Sequence, residues 1–105
     1  MTRTVDLVIS GDGRAARAAA VDALRCGGRV LIVLRSDDAR QAQRLRRFLL
    51  ETAGADSGQL RVMASAEVVC VDGVDGVEAV VVRHATTGRL SAVNASAFVS
   101  FDASS

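Results

Sequence analysis

Val5 to Leu34 reads V-D-L-V-I-S-G-D-G-R-A-A-R-A-A-A-V-D-A-L-R-C-G-G-R-V-L-I-V-L. A short apolar run ends at Gly11-Asp12-Gly13, an Ala-rich stretch follows from Arg14, Gly27-Gly28 interrupts it, and a second apolar run starts at Val30. Strand, glycine turn, helix and strand in that order form a βαβ unit of the kind that grips a dinucleotide by its pyrophosphate. Each motif position has a physical task. Gly11 permits the tight turn, Gly13 lets the backbone approach phosphate, and Ala16 keeps the helix close to the strand. The helix start at Arg14, Ala15 and Ala16 offers free N–H groups and the positive end of the helix dipole to an anion.

Outward from this unit, Ser36 is a plausible N-cap for a second helix, with Asp37 and Asp38 in its first turn. That helix continues to about Thr52, and Ala42, Leu45, Phe48 and Leu49 recur at helical spacing as its buried stripe. In the first helix, running from Arg14 to Cys26, Ala15, Ala18, Ala19, Val21 and Leu24 supply small packing surfaces, and Gly27 suits a left-handed cap. From Leu60 the period changes. Leu60 to Ala64 reads as a third parallel strand; Glu67 to Val71, Val77 to His84 and Arg89 to Val93 read as an antiparallel meander. Gly73-Val74-Asp75-Gly76 and Thr86-Thr87-Gly88 supply its turns. Ala97 to Phe101 reads as a last strand that returns to the parallel sheet. The expected class is therefore α/β: a Rossmann-like, three-layer βαβαβ parallel sheet, then a three-stranded antiparallel β-meander and a final parallel strand. At 105 residues with no linker or repeat, 1–105 is expected to form a single domain.

Composition removes several function classes. Net charge is +1, and the arginine stripe at 40, 44 and 47 is not accompanied by a set of stacking aromatics (the chain has no tyrosine or tryptophan), so nucleic acid is not expected. No apolar run approaches the roughly 20 residues of a membrane span, and Asp6 breaks the short run after Arg3, so neither a span nor a signal peptide is expected. Cys26 and Cys70 form no Cys-x-x-Cys. Both read as reduced, buried packing thiols in a cytoplasmic setting. His84 is the only histidine and reads as structural or exposed. No metal-ligand spacing and no catalytic constellation emerges from the sequence.

The order of elements, with Gly11, Gly13 and Ala16 as Gly-x-Gly-x-x-Ala, resembles the NAD(P)-binding domain of the thioredoxin reductase and pyridine nucleotide-disulfide oxidoreductase family. That family carries His-Arg-Arg-x-x-x-Arg after the second strand, where arginines hold the 2′-phosphate of NADPH. Here Leu34-Arg35-Ser36-Asp37-Asp38-Ala39-Arg40 matches at Arg35 and Arg40 and departs at Leu34 and Ser36. The Thr87-Gly88 hairpin and the Ala97-Phe98-Val99 strand also correspond. The family's Ala-Ile-Gly after the last strand is Ser100-Phe101-Asp102, and Asp12 and Arg14 replace a glycine and an acidic residue in the turn.

The resemblance implies pyrophosphate on Gly11, Asp12, Gly13, Arg14, Ala15 and Ala16, and a 2′-phosphate against Arg35, Ser36 and Arg40. A NAD-preferring unit would end its second strand with a carboxylate for the ribose 2′-hydroxyl; Leu34 stands there, with an arginine fork next to it. NADP is thus the expected cofactor, and FAD is not expected to bind this domain alone. With no flavin domain and no redox Cys-x-x-Cys, these residues are expected to bind without catalysing, at most as one component of an NAD(P)H-dependent flavoprotein oxidoreductase. A flavoprotein partner chain, or a homodimer, is the expected company. The alternative is a degenerate Rossmann-like domain that holds no cofactor and serves as an oligomerisation or protein-interaction module.

Overall fold

The computed structural model describes residues 3–74 and 76–101; the turn position Asp75 and the motif departure at Asp102 lie outside them. The first half follows the expected order: strand β1 (Arg3–Ser10), helix α1 (Arg14–Arg25), strand β2 (Val30–Val33), helix α2 (Ala39–Ala53) and strand β3 (Leu60–Met63). β1, β2 and β3 lie parallel, with Val8 beside Leu31 and Ile32 beside Val62. Strands β4 (Ala66–Asp72), β5 (Ala79–His84) and β6 (Leu90–Ser100) complete one mixed six-stranded sheet in the order β3-β2-β1-β6-β5-β4.

The expected separation between a third meander strand and a final parallel strand is corrected here. β6 is continuous from Leu90 to Ser100. Its first half is antiparallel to β5, with Leu90 beside Arg83 and Asn94 beside Ala79, and its second half is parallel to β1, with Val93 beside Arg3 and Ser100 beside Ser10. Nothing in Asn94-Ala95-Ser96 forces a turn, since Gly and Pro are absent there and β1 offers a backbone ladder that keeps the chain extended.

Strand alternation distributes the core between two faces. Ile9, Val30, Ile32 and Leu34 turn to the helices and pack with Ala16, Ala20, Leu24, Ala42, Leu45 and Leu49. Val8, Leu31 and Val33 turn the other way and cluster with Val80, Val82, Val93 and Ala95. The second cluster, which draws on β4, β5 and β6 as well as β1 and β2, therefore lies on the side of the parallel strands opposite the helices. The amides of Ser65 and Ala66 donate to the carbonyls of Ser36 and Leu34, fixing the start of β4 against the end of β2. Ser65 adopts φ 53°, a left-handed conformation uncommon for a residue with a side chain.

Both helices are rotated or trimmed relative to the sequence expectation. In α1 the buried residues are Ala16, Ala20 and Leu24, whereas Ala15 and Ala18 are exposed. With alanine on nearly every face, periodicity carries no phase. In α2, Ala42, Leu45 and Leu49 are buried as expected, but Phe48 is 50% exposed. α2 starts two residues later than a cap at Ser36 implies. Its N-cap is Asp38, whose carboxylate accepts from the amides of Arg40 and Gln41. Ser36 accepts from the Asp38 amide instead, a local turn ahead of the helix.

Candidate functional site at the glycine turn

β1 lies inside the sheet between β2 and β6. The chain moves outward from β1 to β2 and β3, then returns to β6 on the other side of β1, so the order reverses at β1. In open α/β sheets the crevice beyond the carboxyl ends of such strands is where ligands settle. Ser10 and Ser100 end the two strands side by side, and the Phe101 amide donates to the Ser10 carbonyl at 2.8 Å.

Gly11 leaves β1 at φ 114°, a conformation that side chains rarely adopt, while its amide still donates to the Val33 carbonyl at 3.1 Å. Gly13 is the N-cap of α1 and offers no side chain, so the first-turn amides of the helix are uncapped. A Cβ built on Gly13 meets nothing within 4 Å, and the space over the turn is open. Ala16 is 1% exposed and seats α1 against the sheet, as its motif position requires. This part of the site presents uncapped helix amides beside open space.

The arginine part is divided. Arg35 follows Leu31 and Val33 in strand alternation, and it lines a cavity of about 320 Å³ on the meander side with Ser10, Val68, Cys70, Phe98 and Ser100. Arg40 lies in the first turn of α2, exposed. Arg40 is not among the residues that line the Arg35 cavity. Ser36 belongs with the glycine turn through a residue the sequence did not single out: Gln41 meets the Ser36 hydroxyl at 3.4 Å and donates to the Asp12 carboxylate at 2.9 Å. Gln41 is three residues past the Asp38 cap, where a glutamine commonly turns back to the cap's own amide. That spacing was visible in sequence; its use across the gap to Asp12 was not. The Asp12–Gln41 bond ties the turn to α2 and fixes a carboxylate on the turn.

Beside the turn, an open groove of about 570 Å³ runs between the helices, lined by Asp12, Gly13, Arg14, Arg17, Ala18, Val21, Asp22, Phe48 and Thr52. Arg17 donates from Nε to the Asp12 carbonyl at 3.1 Å and lies over the Phe48 ring, 5.7 Å from its centroid. Phe48 at its half-exposed position thus supports the turn through Arg17.

The cysteines are corrected from buried to exposed. Cys26 is the C-cap residue of α1, and Cys70 lies in the edge strand β4. The Asp72 carboxylate, which accepts from the Cys70 thiol at 3.3 Å and repels a thiolate, raises its pKa above the ordinary value. His84 is half-buried near the Ser91 hydroxyl at 3.4 Å. No group of three metal-binding side chains exists among the described residues, and no described helix is long and apolar enough to cross a membrane.

No protein-family model matches the chain, and no curated protein matches it. Its fold is similar to parts of solved flavin-dependent and disulfide-reducing enzymes. Thioredoxin reductase from Streptococcus pyogenes superposes with a TM-score of 0.69 at 23% identity, over 96% of this chain and 32% of that one. Bacillithiol disulfide reductase from Staphylococcus aureus gives 0.68 at 15% identity, over 94% and 29%. A myxobacterial FAD-dependent chondrochloren halogenase gives 0.67 at 15% identity, over 93% and 37%. The chain thus spans about a third of the length of the structures it resembles, and what it shares with them is a Rossmann-like fold.

Proposed function

We propose that residues 1–105 form a dinucleotide-binding domain that prefers NADPH, similar to the nicotinamide-nucleotide domain of thioredoxin-reductase-like flavoproteins. The observation that carries this reading is the turn at Gly11, which leads from β1 into an uncapped helix at the strand where the sheet order reverses. A diphosphate placed over Gly13 gains first-turn amides and the positive end of α1. Preference for NADPH rests on Leu34, where a carboxylate would serve a free 2′-hydroxyl, and on the Arg35 fork that follows it. When bound, the nicotinamide supplies a hydride. This chain's residues bind and orient; the acceptor, a flavin held by a partner chain or by a companion domain, is part of the proposal.

Calorimetric titration with NADPH, NADH and FAD tests it. NADPH is expected to bind more tightly than NADH, FAD to give no heat, and Arg35→Ala to weaken NADPH by roughly tenfold or more, as loss of a charge-assisted hydrogen bond does. Silence toward both nicotinamide nucleotides overturns the reading. One observation favours a second reading, a degenerate domain that holds no cofactor: the Asp12 carboxylate, held by Gln41, adds negative charge to the turn. That reading predicts silence in the same titration.

A further inference from the structure

We propose that the exposed face of α1 is a two-fold interface and that its partner is a second copy of this chain. Arg14, Ala18 and Asp22 follow one another at steps of four along α1, and all three are exposed. Val21 and the half-exposed Phe48 flank them along the groove between the helices. Among the described residues, neither the Arg14 guanidinium nor the Asp22 carboxylate has a hydrogen-bond or ionic partner. Eight residues of helix separate them by about 12 Å, so they cannot serve each other within one chain.

A two-fold contact is isologous: when residue i meets j, j also meets i. An antiparallel pairing of two α1 helices centred on Ala18 places Arg14 against Asp22 of the partner subunit, and the reciprocal pair forms by symmetry. Ala18 meets its own counterpart at the axis, where a methyl group lets the helices approach closely. A parallel pairing would instead set each charge against its own kind. Val21 and Phe48 supply apolar surface beside the axis, and Arg17 stays engaged with the Asp12 carbonyl and the Phe48 ring. One helix pair and a flanking ring make a contact smaller than the roughly 800 Å² per partner of standard complexes, so association is expected to be weak and salt-sensitive. The interface does not depend on nucleotide binding, and its test uses none.

Sedimentation of the full chain from about 10 µM to about 500 µM is the experiment. The wild type is expected to shift from monomer to dimer. Arg14→Asp alone and Asp22→Arg alone each place like charges across both contacts and are expected to stay monomeric. Mixed in equal amounts, the two variants place opposite charges across both contacts, and the mixture is expected to dimerise as the wild type does. A wild type that stays monomeric, a single variant that dimerises normally, or a mixture that fails to recover each overturns the proposal. Both positions are exposed, so circular dichroism is expected to match the wild type. Should either variant misfold, Ala18→Cys in a Cys26→Ser, Cys70→Ser background decides: mild oxidation is expected to give a disulfide-linked dimer, and its absence refutes the contact.

Discussion

Phe48 and Leu49 are adjacent in α2 and both apolar, yet Leu49 is 0% exposed and Phe48 is 50% exposed. Truncating each to alanine separates a core position from a groove position. Leu49 packs in the layer between α2 and the sheet with Ile9 and Ile32, and a cavity left there cannot fill with water without exposing apolar walls. Leu49→Ala is therefore expected to cost about 3–4 kcal/mol, transfer plus cavity. A phenylalanine side chain carries about 200 Å² of surface, and half of that is about 100 Å². At about 25 cal/mol per Å² the upper bound is about 2.5 kcal/mol, which a realistic unfolded chain reduces to roughly 1.5–2 kcal/mol. Solvent fills the vacated space, so no cavity penalty is added. Urea unfolding followed by circular dichroism measures both, with the slope unchanged and the midpoint shifted. Equal losses, or a larger loss for Phe48→Ala, would refute the assigned phase of α2 and with it the groove between the helices.

Asp38→Ala is expected to remove about 1 kcal/mol of stability by uncapping α2, with Ser36→Ala costing clearly less; thermal melts that reverse the order would return the cap to Ser36. Ser65→Gly is expected to stabilise by up to about 1 kcal/mol, because relief of the left-handed conformation slightly exceeds the added unfolded-state entropy of glycine. A fall in melting temperature counts against strain at Ser65. The Asp72 carboxylate raises the Cys70 pKa and so lowers its thiolate fraction, and Cys70 is expected to alkylate more slowly in the wild type than in Asp72→Asn. Mass spectrometry of iodoacetamide-treated protein at pH 8 reads both rates, and an Asp72→Asn variant with unchanged Cys70 kinetics removes the assigned cause.

The βαβ unit was legible from local chemistry. Glycine at 11 and 13, alanine at 16 and the near-continuous apolar runs of β1 and β2 each constrain their own neighbourhood, and these constraints agree. Gln41 shows the opposite case: its helix position was readable, but its hydrogen bond to Asp12 joins residues 29 apart in sequence and exists only because α2 starts beside the glycine turn. The surroundings of Arg35 also escaped the motif, since a one-dimensional spacing does not say which face of the sheet the residue after β2 continues.

By itself the sequence determined the order of elements as far as β5, the parallel first half of the sheet and the turn at Gly11, because backbone freedom and hydrophobic runs act within a few residues. Only tertiary structure decided that β6 runs unbroken from meander to parallel ladder, that Ala18 and Phe48 stay outside, and that both thiols are exposed. Those outcomes depend on which surface meets which, and on an alanine-rich helix or a valine-rich edge strand the local pattern is nearly the same on every side.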